Sequence, residues 1–104
     1  MAVSEIFRAL GDPYRLEMVQ RLSAGLPCSI SAVSADLGIS RQGARKHLQV
    51  LLDAKMITLE QKGRDVMVTL DRETLDLAKA YFTNLERQWD RRLDALRRFV
   101  EEDS

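Results

Sequence analysis

A chain of 104 residues, 45 % hydrophobic and 31 % charged, has room for one small globular domain over residues 1–104. Its sixteen Lys and Arg balance sixteen Asp and Glu, no run approaches the roughly 18 apolar residues of a membrane span, and the first ten residues lack a signal peptide's basic start and long apolar stretch. One cysteine, Cys28, excludes an intrachain disulfide framework and fits a reducing cytoplasm.

Residues 4–10 predict a short helix with Ser4 as N-cap and Gly11 as its stop. Asp12 caps a second helix that has Pro13 at its first position and ends at Gly25. Its expected core stripe is Leu16, Val19 and Leu22. After a loop over 25–28, Ser29 or Ser31 opens a third helix that is expected to run through Leu37, with Ile30, Val33 and Leu37 inward. Gly38, Ile39 and Ser40 then form a tight turn, Gly38 as a left-handed C-cap and Ser40 as the next N-cap. The fourth helix, about 41–54, turns Ala44, Leu48 and Leu51 to the core. Helix, short glycine-containing turn, helix is a helix-turn-helix unit, here over about 30–54.

The period next changes from 3.6 to 2. Ile57 and Leu59 alternate with polar neighbours, as do Val66, Val68 and Leu70, and Gly63 between them supplies a hairpin turn. A two-stranded ribbon over about 56–70, directly after a helix-turn-helix, is a wing with the basic tip Lys62-Gly63-Arg64. Asp71 caps a last helix, about 72–101, whose apolar residues are Leu75, Ala78, Phe82, Leu85, Trp89, Leu93, Leu96 and Val100. That spacing is a heptad seam with one four-residue stutter between Leu85 and Leu93. Thirty residues make a helix about 45 Å long, more than so small a body can cover. Phe82, Leu85, Trp89, Leu93 and Leu96 are therefore expected in a dimer interface. The fold class is mainly α with a two-stranded β-hairpin: a winged helix-turn-helix, dimeric through its N- and C-terminal helices.

Zero net charge hides a division. Residues 41–64 carry six Lys or Arg against two acids, whereas residues 71–104 carry seven against nine. A polyanion responds to the local excess. With Ala44, Leu48 and Leu51 inward, Arg41, Gln42, Arg45, Lys46 and Gln49 share the outer face of the fourth helix. Arg and Gln pair bidentately with guanine and adenine edges in the major groove, and Lys serves phosphates. Gln42 and Arg45 are thus candidates for base contacts. Ser40, Arg41, Lys46, Gln49, Lys62 and Arg64 are candidates for the DNA backbone or the minor groove.

The remaining chemistry is sparse. His47 is the only histidine and Cys28 the only cysteine, so four protein ligands for a closed zinc site do not exist in one chain. No Gly-rich phosphate loop and no nucleophile-base pairing stands out, and no catalytic residue, cofactor or metal is expected.

Leu10-Gly11-Asp12-Pro13 with Arg15, then Ser40, Lys46-His47-Leu48 and Leu51, then Met56-Ile57 leading to the Gly63 wing, resemble the ArsR/SmtB-type winged-helix repressors over residues 5 to about 99. The resemblance implies a cytoplasmic homodimer on double-stranded DNA, binding a palindromic operator and usually repressing. It also implies that residues 40–49 are the recognition helix and 62–64 the wing. The chain departs from the metal sensors of that family: residues 30–37 hold no cysteine and the last helix no histidine. It is more similar to non-metal members with a long Trp-containing terminal helix, for which any small-molecule effector is not legible in the residues. The competing reading is a winged-helix interaction module that dimerises or docks proteins without DNA. The basic helix face and wing argue against it, since a protein-docking face is more often aromatic and apolar.

Overall fold

The structure, a computed structural model, describes residues 3–102. Its elements are α1 (Val3–Leu10), α2 (Pro13–Leu22), β1 (Cys28–Ser29), α3 (Ile30–Ser34), α4 (Arg41–Asp53), β2 (Ile57–Lys62), β3 (Asp65–Leu70) and α5 (Arg72–Glu102).

Side-chain caps set most of the boundaries. Asp12 accepts from the backbone N–H groups of Tyr14 and Arg15 at the start of α2. Ser29 accepts from Ala32 at the start of α3, and Ser40 from Gly43 at the start of α4. Asp71 accepts from Thr74 at the start of α5. Each satisfies a donor that the helix itself leaves without a partner. Ser4, expected as a cap, instead lies inside α1, which already includes Val3.

Three further expectations need correction. Helix α3 stops at Ser34 and does not reach Leu37, because Ala35 turns to extended backbone and Asp36 takes a left-handed φ of 58°. The connection to α4 is therefore six residues long, over 35–40, with Gly38 at φ 74°. The third helix is held from outside: Arg21 of α2 donates through Nη1 to the carbonyls of Ala35 (2.6 Å), Val33 (3.3 Å) and Ala32 (3.4 Å). A cation at a helix C-terminus meets both the unpaired carbonyls and the negative end of the dipole.

The wing is not a bare hairpin. Cys28, read as loop, and Ser29, read as a candidate helix start, form β1, which pairs antiparallel with β3 through Cys28↔Val68 and Ser29↔Met67. A three-stranded sheet of order β1-β3-β2 results. Strands β2 and β3 run from Ile57↔Leu70 to Lys62↔Asp65, joined by a two-residue turn with Gly63 at φ 61°. In α2 the inward residues are Met18 and Leu22. Of the expected stripe, Leu22 is buried and Val19 packs against the core, whereas Leu16 is half exposed and Met18 is buried in its stead.

The core is continuous. Ile6 and Ala9 of α1, Met18 and Leu22 of α2, Val33 of α3 and Ala44, Leu48 and Leu51 of α4 close on Met56, Ile57, Val68 and Ala78. Burying each large aliphatic side chain contributes about 1.5–3 kcal/mol. Helix α4 ends in a Schellman-like turn: Lys55 N–H donates to Leu52, Met56 N–H to Leu51, and Lys55 itself adopts φ 59°. The Thr74 hydroxyl donates to the Lys55 carbonyl at 2.6 Å, fastening the end of α4 to the first turn of α5.

Helix α5 leaves this body. A 100-residue domain has a radius of gyration of about 13 Å, whereas this chain measures 19.1 Å and extends over 70 × 25 × 23 Å. Only its first turns pack, with Phe7 of α1 meeting Tyr81 and Phe82 at ring-centroid distances of 5.5 and 5.1 Å. Every residue from Asn84 to Glu102 is exposed, including Trp89 (61 %) and Phe99 (66 %). The apolar positions repeat after eleven residues: Ala78 and Trp89, Phe82 and Leu93, Leu85 and Leu96, Trp89 and Val100. Eleven residues in three turns lie close to the natural helical period, so the stripe runs nearly straight along α5.

Candidate nucleic-acid interface

Helical periodicity divides the polar side of α4 into three strips. Gln42, Lys46 and Gln49 point away from the core. Arg41 and Arg45 lie on the flank toward the wing and line a cleft there with Arg64. His47 lies on the opposite flank, toward α2. The single outer face expected from the sequence is thus two surfaces, one outward and one turned to the wing.

The cleft has a volume of about 500 Å³ and lies between α3, the first turns of α4 and the wing. Its cations are uncompensated. Among the described residues, the side chains of Arg41, Arg45, Lys46, Lys62 and Arg64 form no ion pair or hydrogen bond with protein groups. All five are exposed. Gln42 is likewise without a side-chain partner, but Gln49 donates to Asp53 at 2.8 Å and Ser40 is engaged as the α4 cap. Two of the candidate contact residues therefore already have a local task.

His47 takes part in a network that the sequence did not reveal. The Arg15 guanidinium donates through Nη1 to His47 Nδ1 at 3.0 Å and through Nε to the Ala9 carbonyl at 2.6 Å. Tyr14 packs its ring 5.5 Å from the imidazole, and Asp12 Oδ1 lies 3.9 Å from Nδ1. Arg15 thus ties the C-terminus of α1, the N-terminus of α2 and the middle of α4 together. Partial burial of Asp12 would raise its pKa. The backbone N–H groups of Arg15 and Tyr14, with His47 and Arg15 nearby, outweigh that and hold it below the ordinary carboxylate value.

The positioning roles of Arg15 and Arg21 were not legible from local pattern. Their partners lie up to 32 residues away, and no periodicity links them. Phe82, Leu85, Trp89, Leu93 and Leu96 fall on one strip of α5, remote from the cleft, and all are exposed. Among the described residues, no group of three or more His, Cys, Asp or Glu is placed to hold a metal ion, and no helix is long and apolar enough to cross a membrane.

Comparison with known proteins gives consistent matches. A family profile described as a helix-turn-helix domain matches residues 10–60. The uncharacterized HTH-type transcriptional regulator YuzN of Bacillus subtilis is 34 % identical over 76 residues, covering 67 % of this chain and 83 % of that protein. The arsenical resistance operon repressor of Staphylococcus xylosus is 31 % identical over 74 residues, covering 71 % of this chain and 70 % of that protein. Among solved structures, an ArsR-like transcriptional regulator from Rhodococcus sp. RHA1 superposes with a TM-score of 0.78 at 27 % identity, covering 93 % of this chain and 91 % of that one.

Proposed function

Since the chain belongs to the ArsR-type helix-turn-helix transcriptional regulators, a family of DNA-binding proteins and not of enzymes, we propose that it is a homodimeric repressor of an inverted-repeat operator. The observation that carries this reading is the set of five unpaired cations and Gln42 arrayed on α4 and the wing, opposite the buried face of the same helix. A helix with one core-facing strip and unengaged Arg, Lys and Gln over the rest of its exposed side suits the major groove. Gln42 and Arg45 read base edges. Arg41, Lys46, Lys62 and Arg64 hold phosphates or reach the adjacent minor groove, and Ser40 and Gln49 support the backbone contacts from the two ends of that face. Repression is the activity named for the Staphylococcus xylosus relative.

Helix α5 supports the dimer. Its exposed stripe from Leu85 to Val100 finds no cover in its own chain, and a second copy supplies an identical stripe. Two-fold symmetry then presents two α4 helices to half-sites about 34–36 Å apart. The protein works in the cytoplasm, where its DNA is.

The test is fluorescence anisotropy of the purified protein on its own upstream region and on scrambled duplex, over a range of salt. One dimer per inverted repeat is expected, with affinity for both duplexes falling steeply with salt and their ratio staying large. Equal affinity for the two duplexes, or no binding at low salt, defeats the proposal in favour of a protein-docking module.

A further inference from the structure

We propose that Arg15 is a positioning residue for DNA recognition: it fixes how α4 sits relative to α1 and α5, and so sets the half-site spacing that the dimer accepts. The role deepens the DNA reading and rests on it for the spacing, though not for the position of α4.

Spacing on the operator depends on a distance inside each protomer. Each α4 must keep a fixed place relative to the two-fold axis, which on the proposed dimer runs beside α5. One added base pair moves a half-site by about 3.4 Å and roughly a tenth of a turn, so a helix free to pivot that far reads several spacings alike. Among the described residues, polar side chains join α4 to other helices at two points. At its C-terminal end the Thr74 hydroxyl of α5 donates to the Lys55 carbonyl at 2.6 Å. Pinned there alone, α4 pivots about that end, and its first turn, with Arg41 and Gln42, moves furthest. The second point is His47, eight residues before Lys55 and about 12 Å along the axis, where Nδ1 lies 3.0 Å from Arg15 Nη1.

Arg15 carries that second point back to α5. Its Nε donates to the Ala9 carbonyl at 2.6 Å and its Nη2 to the Arg8 carbonyl at 3.5 Å, both in the last turn of α1, where a cation also meets the negative end of the helix dipole. Phe7, next to Arg8, packs its ring 5.5 and 5.1 Å from those of Tyr81 and Phe82 on α5. The chain of contacts therefore runs from α5 through α1 and Arg15 to the middle of α4. A guanidinium with donors in a rigid plane fixes direction as well as distance. The apolar contacts of Ala44 and Leu48 with the core are non-directional and tolerate small rotations. Arg15 is half-buried, and its partner His47 is on the flank of α4 away from the wing, so its effect on DNA runs through the placement of α4.

The experiment compares the full chain with Arg15→Gln, His47→Leu, their double variant, and His47→Asn, whose amide oxygen falls where Nδ1 stood. Leu22→Ala empties a fully buried site on α2 without touching the network and so controls for lost stability. Without DNA, nitroxide labels at position 53 (Asp53→Cys on Cys28→Ser) report the distance between the two α4 helices by electron–electron double resonance. One narrow distribution is expected for the parent, Leu22→Ala and His47→Asn, and a broad one for Arg15→Gln and His47→Leu. With DNA, the inverted repeat of its own upstream region is compared with versions whose spacer is one base pair longer or shorter. Arg15→Gln should lower the preference for the native spacer at least about five-fold. The double variant should lose no more than either single one, since both residues act through one contact.

An unchanged distribution or an unchanged spacer preference in Arg15→Gln overturns the positioning role and leaves the DNA reading intact. Equal broadening in Leu22→Ala does the same, because lost stability is then the cause. Broadening confined to the Arg15 and His47 variants, in a protein that binds no repeat, upholds the placement of α4 by Arg15 and overturns the DNA reading. A protein that stays monomeric at labelling concentrations yields no distance and overturns the role together with the dimer.

Discussion

Between Ile6 and Ala78 most apolar side chains close into one core, whereas from Leu85 to Val100 they find solvent. The body and α5 have similar amphipathic patterning, so pattern alone does not separate them. What separates them is reach. The body folds back on itself through two tight turns and a sheet, but α5 runs straight for 31 residues, about 46 Å, with no element long enough to return along it. On the proposed dimer, one half of the molecule is stable by intramolecular burial and the other by association, and the two should respond differently to protein concentration.

The largest effect expected is in the body. Leu51→Ala removes a fully buried side chain between α4 and the sheet. It should cost about 2–5 kcal/mol at every protein concentration, read from the midpoint of chemical denaturation. Next comes the seam. Trp89→Asp should weaken the dimer by at least about 2 kcal/mol, roughly thirtyfold, in sedimentation equilibrium, while the body keeps its own melting behaviour. As the only tryptophan, Trp89 also reports directly: its emission should move to the red on dilution of the wild type. A concentration-independent spectrum would mean that the stripe stays in solvent.

Arg45→Ala sharpens the division within the basic surface. If Arg45 reads a base, about 1–3 kcal/mol is lost on operator and much less on scrambled duplex. If it holds a phosphate instead, both affinities fall together and their ratio is unchanged. Lys55→Gly probes the joint between the halves. Lys55 holds a left-handed φ at the end of α4, so glycine should raise stability by up to about 1 kcal/mol, with the Thr74 bond to its carbonyl intact. The smallest effect is a pH dependence at Asp12. Its carboxyl is depressed in the folded state, so its contribution is present above the ordinary carboxylate range and fades as pH falls through the lowered value. The gap in melting temperature between wild type and Asp12→Ala should therefore be full at neutral pH, begin to narrow near pH 4 and close only below the lowered value.

Much of this was legible in residues. The caps at Asp12, Ser29, Ser40 and Asp71, the inward set Ala44, Leu48 and Leu51, the glycine at the wing tip and the long stripe of α5 are local signals: each depends on neighbours within a turn or two, where periodicity and hydrogen-bonding chemistry leave few options. The family follows from the order of those signals, and with it the reading of function.

Tertiary structure decided what depended on distant partners. Cys28 and Ser29 become a strand only because β3 offers a free edge some forty residues later. Helix α3 ends early where Arg21 of α2 collects its carbonyls, and Leu16 is half exposed although Val19 and Leu22 of the same stripe pack inward. Arg41 and Arg45 turn from a common outer face toward the wing because the docking of α4 on the core fixes its rotation to within a fraction of a turn. A sequence states which side chains share a strip of helix. Where that strip points follows from packing, and packing sums contacts across the whole chain that no local pattern contains.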